Sequence, residues 1–168
     1  MSNIGRAFRR DDGKGAAAFI GFVSGGDPNI ARSEEFILEM IGAGADLVEI
    51  GIPFSDPIAE GPVIQEANIR ALSAGATVEK MFGLAERVRA KTAVPLVFLT
   101  YLNPVFRYGY DAFFKRGGGA GLDGIIIPDL PFEEQAEVRE AAEKYGIDLI
   151  SLIAPTSEER IKEIARAA

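Results

Sequence analysis

The chain carries five short apolar runs separated by longer segments of mixed polarity. Each run is rich in Val, Ile, Leu or Phe and is bounded by Gly, Pro or Asp. Continuous apolar runs of this length predict strands that are buried on both faces, as in a parallel sheet. We place these strands near residues 19–23, 47–51, 96–101, 124–128 and 149–154.

The segments between the runs have the apolar spacing of amphipathic helices. Ser33 and Thr77 are the expected N-caps of the first two, since short polar side chains at these positions can accept a backbone N–H. The predicted helices cover residues 33–41, 78–90, 132–145 and 157–168, with a shorter candidate at 111–116.

The junctions between helix and strand repeat a common pattern. Gly44, Gly121 and Gly146 each precede an Asp by two positions, directly before an apolar run. Glycine takes the left-handed conformation that ends a helix, so each junction predicts a helix-to-strand turn. Strands that alternate with helices in this way indicate parallel βαβ units.

The spacing of the units is regular with one exception. Successive strands start 28, 49, 28 and 25 residues apart, and one βαβ step takes roughly 30 residues. The second spacing therefore holds a surplus of roughly 20 residues. An insertion after the carboxyl end of a strand is where parallel α/β folds place function.

Two architectures fit five parallel units: an open doubly wound sheet, or part of an eight-stranded barrel. The first strand ends in Gly25-Gly26-Asp27-Pro28 without a G-x-G-x-x-G fingerprint, so a dinucleotide site has no support. A complete barrel needs about 250 residues, and this chain has 168.

The amino-acid composition limits which side chains could carry out catalysis. The chain has no Cys and no His, so acid–base work falls to Asp, Glu, Lys or Tyr. Its net charge of −7 argues against broad nucleic-acid binding. No run approaches the roughly 18 apolar residues of a membrane span, and no signal peptide is visible. We therefore expect a cytoplasmic protein.

Glu49 stands in the middle of the second apolar run and opens a stiff, acidic stretch, EIGIPFSDPIAEGP. One interpretation is a strand residue whose carboxylate reaches solvent or a lysine, since burying an unpaired carboxylate is costly. The other is a catalytic carboxylate at the mouth of a barrel. Partial burial would raise its pKa and let it give and take a proton near neutral pH.

Six motifs in order make the chain resemble the α subunit family of tryptophan synthase over essentially its whole length. They are FVSGGDP (22–28), EIGIPFSDP (49–57), GPVIQ (61–65), TYLNP (100–104), PDLP (128–131) and APTS (154–157). The resemblance implies an α/β fold of the (β/α)8 TIM barrel type, with about five of its eight units present. Residues 1–168 would then form a single incomplete barrel domain, with the first and fifth strands at its open edges.

The resemblance also implies an activity: retro-aldol cleavage of indole-3-glycerol phosphate to indole and glyceraldehyde 3-phosphate, in tryptophan biosynthesis. Glu49 falls on the family's general acid–base position. Glu60 falls on a second acidic position, usually Asp, whose carboxylate accepts the indole N–H; as an alternative it is an exposed loop acid beside a turn at Gly61. The scheme needs no metal or organic cofactor.

Other positions take roles from the same resemblance. Phe22, Leu99 and Ile153 are candidate apolar walls for the indole ring, although each also suits a plain core. The residues implied to contact or support the tryptophan synthase β subunit, in an α2β2 heterotetramer, are Pro53, Asp56, Asn103 and Asp129.

The family's phosphate-binding loops and its mobile active-site loop belong to units beyond the fifth. Two hypotheses remain open: a catalytic α subunit represented by an incomplete sequence, or an inactive truncated chain that binds the β subunit. We expect the 168-residue chain alone to turn over the substrate poorly. The intact mass of the protein separates the two hypotheses.

Overall fold

The computed structural model describes residues 3–9, 15, 17–153 and 160–167. The strands are β1 (Ile20–Ser24), β2 (Leu47–Gly51), β3 (Leu96–Leu99), β4 (Gly124–Ile126) and β5 (Asp148–Ile150). The helices are α1 (Asn3–Ala7), α2 (Ile30–Gly42), α3 (Pro62–Ser73), α4 (Val78–Arg89), α5 (Leu102–Tyr108), α6 (Tyr110–Gly119), α7 (Ala136–Lys144) and α8 (Ile161–Ala167). A 3₁₀ turn at Phe132–Glu134 precedes α7.

The five strands form one sheet in the order β1-β2-β3-β4-β5, and every pair is parallel. This sequential order is the order of a barrel wall, as predicted, because a doubly wound sheet reverses its strand order at a switch point. Within the part of the chain that the structure describes, β1 and β5 lie at the two edges, also as predicted.

The two faces of the sheet have different surroundings. One face supplies Val48, Ile50, Phe98 and Ile125 to the main core, which they share with side chains from α2, α3, α4, α5, α6 and α7. The opposite face carries a smaller cluster built on Leu47, Val97 and Ile126, against which Ile4 of α1 packs. Alternate residues of each strand therefore face either the helices or the inner side of the barrel wall. We call the second surface the inner face.

The first predicted helix begins earlier than its sequence pattern indicated. Asn29, not Ser33, is the N-cap of α2, and its side chain accepts the backbone N–H of Arg32. Ser33 lies fully buried inside the helix, where its Oγ accepts the backbone N–H of Gly26 at 2.8 Å. The prediction of Ser33 as cap was wrong because its hydroxyl stabilises the turn after β1 instead. Thr77 does cap α4, as predicted.

The surplus after β2 is largely helical. A loop runs from Ile52 to Gly61, and α3 follows from Pro62 to Ser73. Neither α3 nor α5 was predicted, and each has a proline, Pro62 or Pro104, in its first turn. Proline is tolerated in the first turn of a helix, where its missing N–H would have no partner. The short helix predicted at 111–116 extends over the whole of α6.

Other element ends also differ from the pattern. Strand β4 ends before Pro128, which has no N–H for the ladder, and β3 and β5 end at Leu99 and Ile150. The single helix predicted at 132–145 is a 3₁₀ turn followed by α7. The start of the helix predicted at 157–168 lies outside the described residues, which include α8 from Ile161. Gly44, Gly121 and Gly146 all have positive φ, as the junction pattern predicted.

The turn after β1 has no room for a side chain at Gly25. A Cβ there would lie 2.5 Å from Sδ of the buried Met81 and 3.0 Å from the carbonyl oxygen of Gly51. We expect Gly25→Ala to lower the free energy of unfolding by about 1–3 kcal/mol, the usual effect of overpacking. Urea unfolding measures it.

Gly42→Ala is the matched control, because a Cβ on this last residue of α2 meets nothing within 4 Å. Alanine in a helix is favoured over glycine by about 1 kcal/mol or less, so the control should be neutral or slightly stabilising. Equal destabilisation by both substitutions would show that the space around Gly25 is not the cause.

Candidate active site

Glu49 lies at the centre of β2, on the inner face of the sheet. Its neighbours in register are Phe22 on β1 and Val97 on β3. The strand's alternation sends Val48 and Ile50 into the main core and leaves Glu49 on the other side. The side chain is half-buried, so the sheet holds the carboxylate where it is partly shielded from water.

The carboxylate of Glu49 has no hydrogen bond or ion pair with any residue that the structure describes. Burial raises its pKa above the ordinary glutamate value, the direction expected from its sequence context. Of the two partners in the simpler interpretation, solvent or a lysine, no described lysine pairs with Glu49, and the half-buried side chain remains in partial contact with solvent. A half-buried, unpaired carboxyl group with a raised pKa is suited to proton transfer.

Two of the three proposed apolar walls share this face. The ring of Phe22 lies against Gly51, where an added Cβ would be 3.0 Å from its Cζ. Phe22 keeps 38% of its surface exposed, and Leu99 is the register partner of Gly51. Glu49 is thus bordered by apolar surface on both neighbouring strands.

Ile153 lies apart from this group in the sequence but close to the acidic loop in space. It is 43% exposed and lines a cavity of about 490 Å³ together with Ala59, Ile127 and Leu152. Ala59 precedes Glu60, so the loop after β2 and the segment after β5 border the same cavity.

Glu60 is held by contacts from three directions. The hydroxyl oxygen of Tyr101 accepts the N–H of Ala59 at 3.0 Å, and Gln65 Nε2 donates to the carbonyl oxygen of Glu60 at 2.8 Å. Asn68 Nδ2 donates to Oε2 of the Glu60 side chain at 2.7 Å. Burial raises the pKa of Glu60, and the hydrogen bond from Asn68 partly opposes this because it favours the ionised form.

The sequence pattern did not single out Tyr101 or Asn68. Tyr101 is 3% exposed and its ring packs against Phe54 at a centroid distance of 5.4 Å. Asn68 is 4% exposed. From the sequence, Asn68 could have been identified only by its position two helical turns after Gly61. That position has a meaning only when α3 is known to be a helix.

Gly61 does not provide the sharp turn expected of it. Its φ is −80° and its ψ is 171°, an extended conformation that other residues adopt, and it is the N-cap of α3. The chain changes direction here because the helix begins at Pro62, so glycine's conformational freedom is not required.

The residues expected at a partner surface divide into two groups. Asp56 and Asn103 are exposed, whereas Pro53 is buried within the chain. Asp129 is half-buried, and its Oδ1 accepts the N–H of Leu102, the first residue of α5, at 2.8 Å. Asp129 therefore supports the loop after β3 by capping the next helix.

Within the described ranges, no group of three or more Asp or Glu side chains is arranged to hold a metal ion. None of the described helices is long and apolar enough to span a bilayer.

The chain matches a family model over residues 8–168, and the family is described as tryptophan synthase alpha chain. Among curated relatives, the tryptophan synthase alpha chain of Carboxydothermus hydrogenoformans is 48% identical over 169 aligned residues and is aligned with 100% of this chain. That of Alkaliphilus metalliredigens is 52% identical over 151 residues, or 90% of this chain.

Solved structures agree. The tryptophan synthase alpha chain of Legionella pneumophila superposes with a TM-score of 0.88 at 32% identity, over 100% of this chain and 64% of that one. A chain of the tryptophan synthase a2b2 complex from Pyrococcus furiosus gives a TM-score of 0.84 at 37% identity, over 89% of this chain and 64% of that one. The chain spans 63% and 57% of the length of the two curated relatives.

Proposed function

Because the chain belongs to the tryptophan synthase alpha chain family, we propose that the full-length protein containing it cleaves indole-3-glycerol phosphate to indole and glyceraldehyde 3-phosphate. It would do so in the cytoplasm, as a step of tryptophan biosynthesis. The observation that carries this proposal is Glu49: a half-buried carboxylate, unpaired among the described residues, on the inner face beside Phe22.

The proposed reaction requires one carboxyl group to act first as an acid and then as a base. Glu49 protonates the indole ring carbon that bears the glycerol chain. The resulting cationic ring withdraws electrons from the bond to the glycerol carbon. As that bond breaks, the adjacent hydroxyl loses its proton to the Glu49 carboxylate and becomes the aldehyde of glyceraldehyde 3-phosphate. The bonding electron pair returns to the ring as indole forms.

Glu60 stabilises the charge that develops on the ring. Its carboxylate accepts the indole N–H, and the interaction strengthens as the ring becomes cationic in the transition state. The partly buried position of Glu60 supports this role, since a lower dielectric strengthens the interaction.

A β subunit is the proposed partner, in an α2β2 assembly. The loop and helices after β2 and β3 expose several large apolar side chains beside Asp56 and Asn103. These are Ile58, Val63, Ile69 and Phe106, which are 63–80% exposed. The exposure of several large apolar side chains in this region supports an interaction site here.

An indole-release assay tests the function. We expect the chain extended to the full length of its relatives to release indole and glyceraldehyde 3-phosphate in equal amounts, without added metal or cofactor. Purified β subunit should increase the rate if the partner is correct. Failure to release indole with and without the β subunit would contradict the proposed reaction.

The alternative, an inactive chain that only binds the β subunit, is not favoured by the comparisons, in which the relatives described are alpha chains of the enzyme.

A further inference from the structure

Asn68 is a buried polar residue, and hydrophobic packing alone does not explain why this position holds an asparagine. It lies on the buried side of α3 next to Ala67 and Ala71, and 4% of its surface is exposed. A buried amide is unfavourable unless it is hydrogen-bonded, and an apolar residue would be the usual occupant. The partner that satisfies the Asn68 amide is the Glu60 side chain.

The hydrogen bond engages one carboxylate oxygen and leaves the other available. Asn68 Nδ2 lies 2.7 Å from Glu60 Oε2. Oε1 has no hydrogen-bond partner among the residues that the structure describes. An unrestrained glutamate side chain loses conformational entropy when it becomes ordered. A buried donor that already holds Oε2 reduces the entropy that remains to be lost when Oε1 binds a substrate.

The backbone on either side of this contact is also fixed. Tyr101 binds the N–H of Ala59, and Gln65 binds the carbonyl oxygen of Glu60. The loop is thus anchored to the segment after β3 and to the first turn of α3. With the backbone held, the side-chain bond from Asn68 sets the direction of the carboxylate.

We propose that Asn68 is a positioning residue for the lyase reaction, which holds Glu60 by Oε2 so that Oε1 accepts the indole N–H. This inference rests on the proposed function. Asn68 acts through Glu60 and touches no reacting atom.

A double-mutant cycle in the full-length enzyme tests the coupling. Asn68→Leu removes the donor at similar volume, and we expect it to lower kcat by about 10- to 100-fold, the scale of a small misplacement, with less effect on KM. In the Glu60→Gln background the same substitution should change kcat less than about twofold, because the carboxylate it orients is gone. Equal losses in both backgrounds would overturn the proposal.

A length exchange covers the case in which Asn68→Leu fails to fold. Glu60→Asp shortens one partner by a methylene, and Asn68→Gln lengthens the other. The double variant should recover at least part of the activity that each single variant loses. If the double variant recovers no activity, a direct contact between residues 60 and 68 during catalysis is contradicted. Glu66→Gln, an exposed change on the same helix, is the control and should leave kcat unchanged.

An NMR measurement separates this inference from the function itself. The Asn68 side-chain amide proton should be shifted downfield by the carboxylate, and Glu60→Gln should remove most of that shift. An Asn68 amide chemical shift that stays the same in Glu60→Gln would refute the positioning role even in an active enzyme. A parent enzyme that releases no indole would refute the proposed function, while the amide signal still decides whether Asn68 holds Glu60.

Discussion

Glu49→Gln is expected to abolish indole release from the full-length enzyme while leaving substrate binding largely intact. The amide has nearly the same shape as the carboxyl group but cannot give and take a proton. General acid–base catalysis contributes about 10²- to 10⁴-fold, and Glu49 serves in both directions, so we expect a loss near the upper end. Single-turnover indole release and substrate titration measure the two effects separately.

The surface substitution Glu39→Gln makes the same chemical change at an exposed position on α2 and should retain full activity. Substantial cleavage by Glu49→Gln would remove Glu49 from the acid–base role. Loss of substrate binding equal to the loss of rate would instead assign Glu49 to binding.

The raised pKa of Glu49 also predicts an effect on stability. Burial favours the protonated form in the folded state. The stabilisation from this group is therefore fully present below the unfolded pKa and is lost as pH rises through the folded pKa. Glu49→Gln should unfold at higher urea than the parent at pH 7, within the roughly 0.5–2 kcal/mol typical of stabilising substitutions. The difference should vanish below the ordinary pKa of 4.5.

Glu60→Ala is expected to lower kcat by about 100- to 1,000-fold, the usual effect of removing one preorganised electrostatic partner, which corresponds to about 2.7–4 kcal/mol. The carboxylate accepts the indole N–H most strongly when the ring is cationic, so the effect should fall on kcat more than on KM. Steady-state kinetics of indole formation by the full-length enzyme measure both constants.

Glu60→Asp is the informative control, because it retains the charge and removes one methylene. Retained activity would show that the loop adjusts to the shorter side chain. Activity as low as that of Glu60→Ala would show that reach, and the bond from Asn68, matter as much as charge. Parent-like activity of Glu60→Ala would contradict the electrostatic role.

Much of the fold was predictable from local pattern. The apolar runs placed five strands within a few residues, and Gly44, Gly121 and Gly146 marked the turns into β2, β4 and β5 through their positive φ. These features depend on neighbours along the chain, namely side-chain alternation and backbone sterics. The same local reading missed α3, because Pro62 reads as a loop residue unless the helix that it starts is already known.

The candidate site was predictable in part. Glu49 was conspicuous because a carboxylate in a continuous apolar run conflicts with burial, and its position in β2 followed from the strand pattern. The family resemblance supplied its acid–base role. The partners of Glu60 were not identifiable. Tyr101 reaches Ala59 across 42 residues of sequence, and the value of Asn68 depends on which side of α3 is buried.

Alternation and turn chemistry, which are local properties of the sequence, were enough to indicate the parallel α/β class. The resemblance of its motifs to the family then selected the barrel and the carboxylates of Glu49 and Glu60. The contacts of those carboxylates depend on the folded chain. It leaves Glu49 unpaired among the described residues on the inner face and binds Glu60 to Asn68. It also assigns Ser33 to Gly26 and Asp129 to Leu102. Each of these contacts depends on strand register and helix packing. Register and packing bring together groups that are distant along the chain, and no local sequence pattern shows that such groups will meet.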